Sequence, residues 1–155
     1  MSIAAAIWLV QDFMQVFSMG ICIVPDVFLF SVLLLALKPG SGTGRQSALI
    51  WAAFAGGLLW DLRWTNLPGL TAAINGAAVA AACHIWHKVP AQARTVTLFV
   101  IISGCAHLLS GIIHFCFWTI PSQAAIRQLA VQQLLAVPVL VVVSLVFWRL
   151  SDKHA

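Results

Sequence analysis

Val96-Thr-Leu-Phe-Val-Ile-Ile-Ser-Gly-Cys-Ala-His-Leu-Leu-Ser-Gly-Ile-Ile-His-Phe-Cys-Phe-Trp118 runs without an aspartate, glutamate, lysine or arginine. An α-helix needs about 20 such residues to cross the hydrocarbon of a bilayer. The rest of the chain has the same character. Of 155 residues 62% are hydrophobic and only 8% charged, with seven Trp, nine Phe, no Tyr and a mean hydropathy of +1.01. Soluble domains carry about 25% charged residues, so this chain cannot cover a water-facing surface, and disorder, which needs polar composition, is excluded as well. The composition predicts an all-α integral membrane protein, a bundle of about six transmembrane helices in a single domain over 1–155. Once the spans are allotted, only short loops are left. No soluble catalytic or nucleic-acid-binding domain fits beside them.

Outward from 96–118, the breaks in apolarity place the remaining spans at about 2–18, 22–36, 46–61, 69–86 and 126–148. A tight turn is expected around Met19–Cys22, with Pro25 in the first turn of the second helix, where a missing N–H costs nothing. One long bent helix over the first two spans is the alternative. Lys38-Pro-Gly-Ser-Gly-Thr-Gly-Arg45 reads as a flexible polar loop; its Gly40–Gly44 stretch is not followed by the lysine a phosphate-binding P-loop requires. The N-terminus lacks the basic start and cleavage site of a secretory signal and reads as a retained first helix.

Lys38, Arg45, Lys88, Arg94, Arg149 and Lys153 fall on one side of such a membrane topology, and Arg63 and Arg127 on the other. This positive-inside bias predicts both termini in the cytoplasm. The net charge of +4 forms no patch that could track nucleic-acid phosphates. The four cysteines, at 22, 83, 105 and 116, have no paired spacing and suggest no disulfide framework.

Small residues recur at four-residue spacing in the third and fourth spans: Ala48, Ala52 and Gly56, then Ala53 and Gly57, then Ala72, Gly76 and Ala80. Such faces let helix backbones approach closely in lipid, so these two helices are expected to form the tight centre of the bundle. The sixth helix, rich in Val and Leu, reads as a lipid-facing wall. Ser103, His107, Ser110 and His114 fall within roughly 60° of one another on the fifth helix, a polar stripe that must face the bundle interior, a partner or a cavity. Two histidines two turns apart make poor metal ligands, and Cys83, His84 and His87 lack a further ligand nearby. No catalytic constellation, metal site or cofactor motif is predicted.

The second span opens Pro25-Asp26-Val-Phe-Leu-Phe-Ser-Val-Leu-Leu-Leu-Ala-Leu37. The third ends Gly57-Leu-Leu-Trp-Asp61 and continues Leu-Arg-Trp-Thr-Asn-Leu-Pro-Gly69-Leu. This combination resembles the bacterial rod-shape-determining MreD family, with Pro25 and Asp26 matching one element and Gly57, Asp61 and Gly69 the other. Asp12 beside Gln11 departs from that pattern. The resemblance covers essentially the whole chain. It implies a non-enzymatic scaffold of the cell-elongation complex in the inner membrane, keeping rod shape during lateral peptidoglycan synthesis. Its implied partners are MreC and, through the complex, MreB, RodA and the elongation transpeptidase. The rival reading is the substrate-binding membrane subunit of an energy-coupling-factor-type vitamin transporter, to which the family is thought to be related in fold.

Three acids carry separate expectations. Asp26 reads as a helix-start carboxylate stabilised by the helix dipole. Asp61 sits at a helix C-terminal end, where the dipole disfavours it, and needs a partner: Arg63, or the N–H groups opening the fourth helix. A structural clamp is the favoured role. Asp12, with Gln11 and Gln15, places polar groups well inside the first span, and such groups are costly unless they meet a partner.

Overall fold

The computed structural model describes residues 2–18, 24–64, 68–118 and 123–152. Among them are six α-helices: α1 (Ser2–Phe17), α2 (Val27–Leu37), α3 (Thr43–Trp64), α4 (Leu70–Lys88), α5 (Val96–Trp118) and α6 (Gln123–Asp152), with a 3-10 turn at Ala91–Ala93. The first two helices are thus separate elements. The turn expected around Met19–Cys22 lies outside the described residues, as do positions 65–67 and Lys153.

The all-helical fold agrees with the sequence, whereas membrane-spanning length is met by fewer helices than expected. Val96–Phe117 and Leu129–Asp152 are long and apolar enough to cross a membrane. At 11 residues, α2 is only about 16 Å long. Neither α3 nor α4 is short, but both are diluted by alanine and glycine, and α3 carries Arg45, Asp61 and Arg63.

What α2 lacks in length it makes up in burial. Phe28, Leu29, Phe30, Val32, Leu33, Ala36 and Leu37 are all buried, and the helix touches each of the other five. It is the axis of the core. The expected pairing of α3 with α4 is the most extensive helix–helix contact in the structure, but it forms one wall of the bundle rather than its centre. Leucine and phenylalanine supply the apolar volume, and glycine and alanine supply the close approach. On α6, Val141, Val142, Leu145 and Trp148 face outward, as a lipid-facing wall would. Phe147 turns inward, stacked on Phe99 at 4.4 Å and edge-on to Trp86 at 5.8 Å.

Helix ends gather by charge. Gln46 at the start of α3 donates from Nε2 to Ala36 O at the end of α2 (3.2 Å), and its Oε1 accepts from His87 Nε2 at the end of α4 (2.6 Å). Lys38, Arg45, Lys88, Arg94 and Arg149 lie toward this end, with Asp152. Asp12, Asp26 and Asp61 lie toward the other, with Arg63 and Arg127.

Candidate functional site

The acid-bearing end is where most of the singled-out residues meet. Its first part is the start of α2, whose free N–H groups are buried and must be satisfied. Asp26 is the N-cap, and its Oδ1 accepts from Leu29 N at 2.8 Å. Gln11 Oε1, from α1, accepts from Phe28 N. Pro25 lies just before the cap rather than in the first turn, and its carbonyl accepts from Val27 N at 2.8 Å. The helix starts two residues later than the proline pattern suggests because the aspartate takes the capping position.

The second part is the crossing of α3 and α4. Gly57 and Asp61 are one turn apart on the same face of α3. A Cβ on Gly57 would lie 2.6 Å from Ala72 Cα and 2.7 Å from both Ala72 N and Thr71 O. The Asp61 carboxylate, 1% exposed, accepts from Thr71 N at 2.9 Å and Ala72 N at 3.3 Å. One residue therefore lets the first turn of α4 come close, and the other, a turn later, caps the N–H groups that arrive there. Gly69, the residue before α4, has φ +93°, a left-handed conformation that costs other residues about 1–2 kcal/mol. Thus Gly57, Asp61 and Gly69 form one clasp between backbones.

Of the two partners expected for Asp61, the α4 N–H groups take the role. Arg63 turns instead to α1, where its Nε lies 3.1 Å from Asp12 Oδ1. The same oxygen accepts from Trp64 Nε1 at 2.9 Å. Asp12 and Gln11, buried within α1, thereby meet partners on α3 and α2. Trp8 adds a third tie, donating from Nε1 to Gly56 O at 2.9 Å.

The α5 stripe points into the bundle, with Ser103, His107 and Ser110 buried. His114 Nδ1 lies 2.9 Å from Ser110 O and its Nε2 lies 2.9 Å from Thr71 Oγ1. A carbonyl can only accept, so Nδ1 carries a proton, and in the neutral ring Nε2 accepts from the threonine hydroxyl. Deeper in, His107 packs against Phe30 with ring centroids 4.9 Å apart. Neither of its ring nitrogens, nor Asn75 Oδ1, nor Ser103 Oγ has a hydrogen-bond partner among the described residues. The stripe is thus two things: a tie to α4 at its outer end and an unbonded polar seam further in.

Sequence reasoning missed Gln46, a buried side chain that joins three helix ends, and it missed the ion pair between α1 and α3. A glutamine beside a basic loop offers little to mark it, and a pair so far apart in sequence has no local signature. No group of three His, Cys, Asp or Glu placed to hold a metal occurs among the described residues, and Cys83, Cys105 and Cys116 are free.

These ties differ in expected strength. Arg63 is half exposed, so Arg63→Gln should cost about 0–1 kcal/mol. Asp12→Leu should cost more, about 1–3 kcal/mol, because the Trp64 indole loses its acceptor too. Asp12→Asn should fall between them. Melting temperatures of the purified variants in one detergent check the order, and an Arg63→Gln loss equal to that of Asp12→Leu would contradict it. No protein-family model, curated protein or solved structure matches this chain.

Proposed function

We propose that the chain is a non-enzymatic membrane scaffold of the bacterial cell-elongation complex, of the MreD kind. In this reading it spans the inner membrane six times with both termini cytoplasmic. It binds MreC and, through the complex, connects MreB, RodA and the elongation transpeptidase. The observation that carries the reading is the use made of the motif residues. Asp26 caps α2, while Gly57, Asp61 and Gly69 set the crossing of α3 and α4, so the pattern that prompted the resemblance has a structural purpose in this chain.

Two further features support it. Five of the seven described Lys and Arg residues lie toward one end of the bundle, the kind of asymmetry the positive-inside rule reads. The short α2 is compatible with six spans because protein surrounds it, and backbone that stops short of the interface is tolerated where its polar groups are satisfied.

The test is made in the chain's own host. Its depletion should round or widen the cells, and MreC should copurify with the tagged protein. Reporter fusions after Arg45, Lys88 and the last residue should report cytoplasm, and one after Pro68 the outside. Rod shape unchanged on depletion, with no recovery of MreC, refutes the scaffold. An outside C-terminus refutes the topology.

The unbonded seam of Asn75, Ser103 and His107 supports the second reading, a vitamin-binding transporter subunit. A vitamin retained through purification of the wild type and lost from Asn75→Leu would favour that reading over the scaffold.

A further inference from the structure

At the basic end of the bundle, a cavity of about 380 Å³ opens between the ends of α2, α4 and α6 and the loops beside them. Its floor is aromatic, formed by Trp86 and Phe147, both buried. Its rim carries Lys38, Ser41, Arg94 and Ser151. Among the described residues no aspartate or glutamate lines it. Asp152, the one acid toward this end among the described residues, is outside the lining and exposed.

The donors available there suit an anion. The Lys38 ammonium has no hydrogen-bond or ion-pair partner among the described residues, so its three N–H groups are uncommitted. Arg94 is held in place by Nε donating to Val89 O at 3.0 Å and Nη2 to His87 O at 3.5 Å. Those bonds leave further N–H groups of the fork available and spare the side chain the entropy of being ordered by a ligand. Gln46 and His87 also reach the cavity, but they are bonded to each other and brace its wall. One braced cation, Arg94, and one uncommitted cation, Lys38, over an apolar floor, with no carboxylate among the described lining residues, form an amphipathic anion site.

We propose that this cavity binds a phosphate group, with Lys38 and Arg94 as its ligands. An anionic phospholipid headgroup and free phosphate offer the same chemistry. Basic pockets between helix ends on the cytoplasmic side are suited to the former, and the Trp86–Phe147 floor would meet its apolar part. The inference rests on the proposed topology, which puts this end at the cytoplasmic face, but not on the scaffold role, since it uses neither the motif residues nor a protein partner.

The experiment uses the full chain purified in a neutral detergent and titrated separately with phosphatidylglycerol, phosphatidylcholine and inorganic phosphate, with binding read by native mass spectrometry and thermal shift. The expected result is preferential binding of phosphatidylglycerol. Lys38→Gln and Arg94→Gln should each weaken it about fivefold, the effect of one charge near a membrane surface. Arg45→Gln, an exposed cation outside the lining, should leave it unchanged and controls for net charge. Because Arg94 also braces its own loop, Lys38→Gln carries the decision. A Lys38-dependent shift with inorganic phosphate alone keeps the anion site and makes its source soluble. Binding of phosphatidylglycerol and phosphate that is indifferent to Lys38, or weakened equally by Arg45→Gln, overturns the proposal.

Discussion

Gly57→Ala should destabilise the protein by about 2–3 kcal/mol, the upper range for forcing extra volume into a packed core. The added methyl would meet backbone atoms of Thr71 and Ala72 at 2.6–2.7 Å. Backbone cannot rotate away as a side chain can, so α3 and α4 must separate. Gly76→Ala is the matched control. Its nearest neighbours would be side-chain atoms of Phe54 at 3.5–3.6 Å, an ordinary contact, and alanine favours the helix over glycine. Gly76→Ala should therefore melt at or above the wild-type temperature, because α4 has room at Gly76 that α3 lacks at Gly57. A bulky exchange at exposed Val141 should also be harmless. If Gly57→Ala and Gly76→Ala melt together, the α3–α4 crossing is looser than this geometry requires.

Asp61→Leu should produce the second large loss, about 2–3 kcal/mol, because Thr71 N and Ala72 N would be left buried without an acceptor. Asp61→Asn retains one oxygen that can accept and should lose about half as much. Both should exceed Arg63→Gln, whose partner lies elsewhere. Melting temperatures give the order directly. In cells, the scaffold reading adds a second expectation: Asp61→Leu at a permissive expression level should widen the rods and reduce MreC recovery. Equal melting of Asp61→Leu and wild type would show that α4 does not depend on this cap.

How far the sequence could be read depended on whether a feature was local. The span at 96–118 coincides with α5 because an uncharged run needs no partner to be recognised. Apolarity alone places the third span at 46–61, whereas α3 covers Thr43–Trp64, since its charged and polar ends form helix but interrupt the apolar signal. The central place of α2 was not legible. A helix apolar on every side gives no direction to its burial, and alanine repeats pointed to α3 and α4 instead. The clasp residues were recognisable as a pattern, but the reason for Gly57 and Asp61 standing four apart emerges only when Thr71 and Ala72 are brought against them. Asp12 was legible as an acid in need of a partner, though not as the partner of Arg63.

The ties of α1 bear on the order of assembly during synthesis. Gln11 bonds to Phe28, Trp8 to Gly56, and Asp12 to Arg63 and Trp64. Being made before the other five helices, α1 therefore holds polar groups whose partners are made later. Asp12 precedes Arg63 by about fifty residues, or roughly 3–10 s at usual elongation rates. Until then its carboxylate must stay hydrated or be sheltered by the insertion machinery. Of these six helices α1 is consequently among the last to settle, and a nascent chain halted before α3 emerges still exposes its carboxylate.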